Sequence, residues 1–250
     1  MKNFRAYQVH AEGELFTGAV VNLTTDQLPD HSLFVRVRYS SLNFKDMLSA
    51  SGNRGVTRKY PHVPGIDAAG IVESDSPHFR KGDKVLVTGF DLGMNTSGGF
   101  GQFIRVPEQW ALPLPAGLSL SESMIYGTAG LTAGLCVDEI LRHGLRPEGA
   151  PILITGASGG VGSLAVALLS HLGFPVAAVT GKKNAAPFLL SLGAKEVLQR
   201  KEMDNDDRPL IRPRWQAAVD TVGGSSLAWA IKTTDYDGMV TCCGNAASSR

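Results

Sequence analysis

Thr155-Gly156-Ala157-Ser158-Gly159-Gly160-Val161-Gly162 is the stretch whose reading decides the fold. It follows the apolar run Ile152-Leu153-Ile154 and opens a second apolar run over residues 161–169. Ala157-x-Gly159-x-x-Gly162 has the spacing of a dinucleotide-binding turn set between a strand and a helix. Small residues permit the tight turn and let backbone N–H groups approach a pyrophosphate, and the last glycine lets helix and strand come close. Ser158, Gly159, Gly160 and Val161 are therefore candidate pyrophosphate ligands. The same pattern also serves as a tight strand-to-helix turn that binds nothing, so the surrounding rhythm has to decide.

That rhythm alternates strand and helix. The helix after the turn is expected to end near Gly173, a C′ glycine. A second strand is expected over 175–180, then a helix capped by Asn184 with Pro187 in its first turn. Gly193 stops that helix before a third strand over 196–199, and a polar stretch, 201–213, reads as flexible. The apolar Ala217-Ala218-Val219 and Asp220, a helix over about 225–232, and the run Met239 to Cys243 complete the pattern. Apolar runs too uniform for one-sided strands, separated by helices, predict a parallel sheet covered on both faces.

Upstream, residues 1–122 read differently. The run 32–39 alternates Leu33, Val35, Val37 and Tyr39 against Arg36 and Arg38, which predicts a half-buried strand. Lys81-Gly82-Asp83-Lys84 is a turn into the strand 85–88, and Gly98-Gly99-Phe100-Gly101 punctuates the approach to the strand 102–106. Many short strands with Gly and Pro turns suggest a compact β domain, closed or nearly so. The expected domains are thus 1–122 and 123–250.

Composition narrows the function classes. Apolar residues at 43% and charged residues at 19% describe an ordinary globular protein, and a net charge of +1 offers no case for nucleic acid or a membrane surface. No uninterrupted run of about 18 apolar residues occurs, and the N-terminus lacks a signal peptide's apolar centre. Three cysteines make neither a disulfide framework nor a four-thiolate zinc site, so a reducing cytoplasm is the default. The six histidines are scattered without metal-ligand spacing, and no Gly-x-Ser-x-Gly elbow supports a hydrolase.

With both halves placed, Ser41-Leu42-Asn43-Phe44-Lys45-Asp46, Pro64-Gly65-Ile66-Asp67, Lys81-Gly82-Asp83-Lys84-Val85, Gly127-Thr128-Ala129-Gly130, the glycine turn and Leu192-Gly193-Ala194 carry a resemblance. The chain resembles the zinc-independent medium-chain dehydrogenase/reductases, and within them the acryloyl-CoA reductase/quinone oxidoreductase subgroup. The resemblance implies an α/β chain: a GroES-like β domain followed by a doubly wound Rossmann sheet. Zinc alcohol dehydrogenases carry a His-Glu pair where this sequence has Ile66-Asp67. Phe44 stands where the subgroup usually has Tyr. Family members continue beyond Asn245, so the Rossmann domain is expected to be incomplete at its C-terminus, and a homodimer is expected only of a complete chain.

The candidate catalytic residues are Asn43 and Asp46. The resemblance implies that Asn43 donates its amide to a substrate carbonyl and that Phe44 lies near a nicotinamide. Asp46 is read as ordering the motif rather than moving a proton, because an exposed Asp is ionised at pH 7. Thr128 is a candidate cofactor contact or a packing residue, and Asn245 would meet the nicotinamide half. About 20 residues past a glycine turn, NAD-selective sites place an acid for the ribose hydroxyls. Here Thr180-Gly181-Lys182-Lys183 offers a hydroxyl, backbone amides and ammonium groups, which suit the 2′-phosphate of NADPH. The resemblance adds Arg200 to that phosphate site. The expected reaction is reduction of an activated C=C bond in a small unsaturated acyl-CoA or carbonyl compound. A quinone reductase and a dinucleotide-binding protein without turnover stay open as alternatives.

Overall fold

Leu33 and Val35 are fully buried while Arg36 faces solvent, as the two-residue period of a half-buried strand requires. The computed structural model describes residues 1–203 and 211–246, and the chain divides into two compact units, Met1–Thr128 and Ala129–Arg250. The division falls inside a helix, slightly beyond the junction at 122/123 expected from sequence.

The first unit begins with a hairpin, β1 (Asn3–Glu12) and β2 (Leu15–Thr24), followed by β3 (Leu33–Tyr39), α1 (Phe44–Ala50), β4 (Asp67–Val72), β5 (Lys84–Thr88), β6 (Phe103–Val106) and β7 (Ala111–Pro113). The last five strands form an antiparallel sheet in the order β6-β3-β4-β5-β7. Single bridges, Ala6 with Gly101 and Val9 with His62, tie the hairpin to the rest of the unit. Leu33, Val35, Val85, Val87, Ile104 and Val106 fill the core. Burial in β3 stops before Tyr39, which sequence placed on the apolar face. The register with β4 slips between Val37 and Tyr39, and that slip breaks the alternation.

α2 (Leu120–Arg142) is interrupted by Gly127, whose φ of 47° and ψ of −149° lie outside the helical region. By length and composition alone α2 could cross a membrane, although the sequence shows no single apolar run of that length. The second unit then holds β8 (Ile152–Ile154), α3 (Gly160–His171), β9 (Val176–Thr180), α4 (Ala186–Ser191), β10 (Glu196–Gln199), β11 (Trp215–Asp220), α5 (Gly224–Thr233) and β12 (Thr234–Cys242). The five strands are parallel, in the order β10-β9-β8-β11-β12. Counted by appearance this is 3-2-1-4-5, the Rossmann order with its reversal between β8 and β11.

Ile152, Ile154, Val176, Ala178, Ala217 and Val219 join one apolar cluster, and Leu153, Ala177, Val179 and Ala218 join another. Successive residues thus feed opposite faces, which is why the strands read as unbroken apolar runs. Gly173, at φ 89°, follows the last turn of α3 as expected. Two boundaries differ from the sequence reading. Ala185, not Asn184, caps α4, and Pro187 in the first turn removes one of the N–H groups a capping side chain would have served. β12 begins at Thr234, five residues before Met239, and its register with β11 shifts between the Trp215 and Ala217 pairings. Most of the polar stretch 201–213 lies outside the described residues.

Candidate active site and dinucleotide site

In the first unit the site is built at the start of α1. Asn43 has extended backbone and acts as the N-cap, and Asn43 and Asp46 form a reciprocal capping box. Asp46 accepts the Asn43 N–H at 2.8 Å through one oxygen and the Ile66 N–H at 2.9 Å through the other. The expectation of an exposed Asp46 is corrected: it is buried, because α1 turns it inward onto the backbone leading to β4. Burial pushes its carboxyl above the ordinary value, opposed by the two backbone N–H groups.

The Asn43 amide nitrogen donates to Ser41 Oγ at 3.2 Å and to Asp67 Oδ2 at 2.9 Å. Asp67 is completely buried at the first position of β4. Ser41 Oγ also donates to it, as do the Thr128 N–H at 2.9 Å and the Thr128 hydroxyl at 2.7 Å. Four donors converge on two oxygens, with no basic side chain in ion-pair contact among the described residues. Gly127 makes it possible. A Cβ there would lie 2.6 Å from Asp67 Oδ2 and 2.9 Å from Ser41 Oγ.

Asp67 and Ser41 are the side chains of this network that sequence reasoning did not single out as site residues. The signal for Asp67 was present in its position, where zinc relatives carry a metal ligand, but its partner set depends on chain folding over sixty residues. The donor set does not suit zinc. Asp67 is preceded by apolar Ile66 and its oxygens are filled by hydroxyl and amide donors, not flanked by Cys or His. Among the described residues no group of three His, Cys, Asp or Glu gathers to hold a metal. Phe44, the first residue of α1, is half exposed and its ring is accessible.

In the second unit the glycine turn joins β8 to α3. Gly156, at φ 58°, lies against Thr221, and a Cβ at Gly162 would stand 2.5 Å from the Gly156 carbonyl. Only glycine allows this close return. Gly159 is the N-cap of α3 and has no side chain to cap the N–H groups of Gly160, Val161 and Gly162. They stand at the positive end of a twelve-residue helix, as anion binding requires. Ser158 Oγ hydrogen-bonds Thr180 Oγ1 at 2.8 Å, and Thr180 Oγ1 accepts the Lys182 N–H at 3.1 Å. Thr180 is buried, so its hydroxyl braces the turn.

Beside it, Gly181, Lys183, Gln199, Arg200 and Lys201 line a surface cavity of about 540 Å³. The Arg200 guanidinium carbon is 3.4 Å from where a Gly181 Cβ would be. Arg200 and Gly181 are brought together as expected, and Lys183 and Lys201 line the same cavity, whose lining does not include Lys182. The set fits a phosphate-bearing dinucleotide. Asn245 follows β12, with its side-chain oxygen close to Gly223.

With this geometry in hand, residues 29–116 match the alcohol dehydrogenase GroES-like domain and residues 160–250 match the zinc-binding dehydrogenase family. The acrylyl-CoA reductase AcuI of Ruegeria pomeroyi is 45% identical over 92% of this chain and 71% of its own length. The chain belongs to the medium-chain dehydrogenase/reductase family. Its similarity to the putative quinone oxidoreductase YhfP of Bacillus subtilis is 41% identity over 96% of the chain and 74% of that protein. The solved structure of Escherichia coli YhdH with bound NADPH superposes with a TM-score of 0.94 at 42% identity, covering 98% of this chain and 76% of that one. A structure of YhfP contains NAD. These relatives share the GroES-like unit and the Rossmann sheet, and the family's activity is oxidoreduction.

Proposed function

We propose that this medium-chain oxidoreductase is an NADPH-dependent reductase of activated carbon–carbon double bonds, with acrylyl-CoA or a closely related unsaturated thioester as substrate. The observation that carries the reading is the Asn43 amide anchored on buried Asp67, a hydrogen-bond donor held without a metal. When bound, NADPH supplies a hydride to the substrate's β-carbon. The electron pair of the double bond would then move toward the thioester oxygen, and water would supply the proton taken up at the α-carbon.

The chain's residues act on the oxygen and on the cofactor's charge. Asn43 holds its 2.9 Å bond to Asp67 and exchanges the longer 3.2 Å bond to Ser41 for the substrate oxygen. A preorganised donor of this kind contributes about 3 kcal/mol to stabilising the developing enolate. Asp46 is a positioning residue, with both oxygens holding backbone N–H groups. Phe44 is the half-exposed aromatic side chain that would lie near a bound nicotinamide, and Thr128 fixes Asp67. Ser158 through Val161 receive the pyrophosphate. Arg200, with Gly181 and the neighbouring lysines, receives the 2′-phosphate.

The name of the YhfP relative favours a second reading, quinone reduction with the same cofactor. Following NADPH oxidation with acryloyl-CoA and with a simple benzoquinone separates the two. Turnover with the thioester at least tenfold more efficient supports the proposal; turnover with the quinone alone overturns it.

A further inference from the structure

Arg54, Arg58 and Lys59 stand within six residues of one another, in a loop of the first unit that contains no acid between them. All three are exposed. The loop is nonetheless held firmly. Its start is closed by the Thr57 N–H donating to Asn53 O at 3.0 Å, and its middle by a buried hydroxyl pair, Ser49 Oγ and Thr57 Oγ1, 2.7 Å apart. The Tyr60 hydroxyl donates to Ser49 O at 2.6 Å, fixing the loop's far end to α1. The Arg54 guanidinium lies over two rings, 5.5 Å from the centroid of Phe16 and 5.4 Å from that of Tyr60, and donates to Arg58 O at 2.9 Å.

A surface cation held this way normally has a carboxylate partner or is mobile. Here, among the described residues, no ion pair joins Arg54, Arg58 or Lys59 to an acid. The acid nearest in the hydrogen-bond network is Asp91, reached through Asn95, whose side-chain oxygen accepts the Arg58 N–H at 3.3 Å. Both Asp91 oxygens are taken, one by Asn95 at 3.2 Å and one by Thr96 at 3.0 Å. Three cations are thus presented without local neutralisation in a chain whose total net charge is only +1.

We infer that Arg54, Arg58 and Lys59 form a polyphosphate-binding site that takes the diphosphate and 3′-phosphate of a coenzyme A thioester. The inference rests on the reductase reading above and sharpens it, because it selects a phosphate-bearing thioester over a neutral quinone. The loop directly follows α1, whose N-cap is Asn43 and whose seven residues span about 10 Å. A flexible pantetheine arm covers that distance, so the thioester oxygen and the phosphates engage the two ends of one short helix. The ring-stacked guanidinium gives a planar fork for phosphate, and the exposed Arg58 and Lys59 add charge.

The experiment compares acryloyl-CoA with acryloyl-pantetheine, which lacks every phosphate, in the unaltered chain and in an Arg54→Gln/Arg58→Gln/Lys59→Gln variant. A calorimetric titration with coenzyme A alone accompanies the kinetics. The expected result is a KM for acryloyl-CoA raised about tenfold or more in the variant with kcat preserved, an unchanged KM for acryloyl-pantetheine, and loss of coenzyme A binding. Equal KM values for the two thioesters in the unaltered chain, or equal losses for both in the variant, overturn the site while leaving the reductase reading intact. Coenzyme A binding that the variant loses, with no thioester reduced by either protein, overturns the reductase reading and leaves the site standing. The single charge reversal Lys59→Glu, at an exposed side chain that takes no part in the Arg54 ring contacts, repeats the comparison if the triple variant does not fold.

Discussion

Asn43 donates its side-chain amide to Asp67 Oδ2 at 2.9 Å, and Asp67 in turn accepts the Thr128 hydroxyl and N–H. Three separate segments of the first unit are thereby referred to one buried carboxylate. Replacing Asp67 by Asn keeps the shape but turns one acceptor oxygen into an NH2 facing donors from Ser41, Asn43 and Thr128. An unsatisfied buried set of this kind costs about 2–3 kcal/mol, so the urea midpoint should fall by a corresponding amount. Activity should fall further than stability, because Asn43 loses its anchor. Unchanged kcat/KM in folded Asp67→Asn protein would show that the anchor does not position the donor.

Gly127→Ala tests the same centre from the backbone. The φ of 47° and ψ of −149° belong to a region that side-chain-bearing residues rarely enter, and the new Cβ would be driven onto Asp67 Oδ2. Gly117 is the internal comparison, with φ 88° and open space around its absent Cβ. Gly117→Ala should cost about 1 kcal/mol from conformation alone. Gly127→Ala should cost roughly 2 kcal/mol more than that and should reduce turnover, since the displaced carboxylate drags Asn43 with it. Similar denaturation midpoints for the two variants would remove Gly127 from the site.

The contrast between these glycines shows what the linear sequence can and cannot carry. The turn at 156–162 is legible because its whole logic, strand, small residues and helix, is local and periodic. The parallel sheet follows from uniform apolar runs, since residues such as Leu153 and Ile154 are buried on opposite faces. Asp67 is different. Its donors come from residues 41, 43 and 128, and no local period connects them. The exposure of Asp46 was misjudged for the same reason, as the Ile66 N–H that buries it belongs to another segment.

His62 gives the first unit a pH dependence. Its ring is buried, with Nε2 2.8 Å from the Gly93 carbonyl, and burial lowers its pKa below the ordinary 6.5. Between the folded value and 6.5 the unfolded chain binds the proton that the native ring refuses. Stability therefore rises with pH across that window and is lost as pH falls from 6.5 toward the folded value. Denaturation midpoints of the unaltered chain should drop on acidification below 6.5. His62→Gln keeps a donor toward Gly93 and should flatten that part of the profile, and an identical acid slope in the variant would assign the effect to other groups.

Cofactor preference should reside in Arg200 more than in either lysine. Its guanidinium lies beside Gly181 on the wall of the cavity at the end of β9, where an acid would be needed to favour NADH. A guanidinium–phosphate contact is worth roughly 1.5–3 kcal/mol, which corresponds to about ten- to a hundredfold in affinity. Arg200→Ala should raise the dissociation constant for NADPH by that factor and leave NADH nearly unchanged, because NADH carries no phosphate at the ribose 2′ position. Lys183→Ala should produce a smaller loss, as a flexible ammonium in open solvent contributes less per contact. Lys182→Ala should be close to neutral if the cavity wall is the phosphate site. Fluorescence titration of the bound nicotinamide measures all three, and a parallel loss of NADH and NADPH affinity in Arg200→Ala would mean that the arginine supports the fold of the loop rather than reading the phosphate.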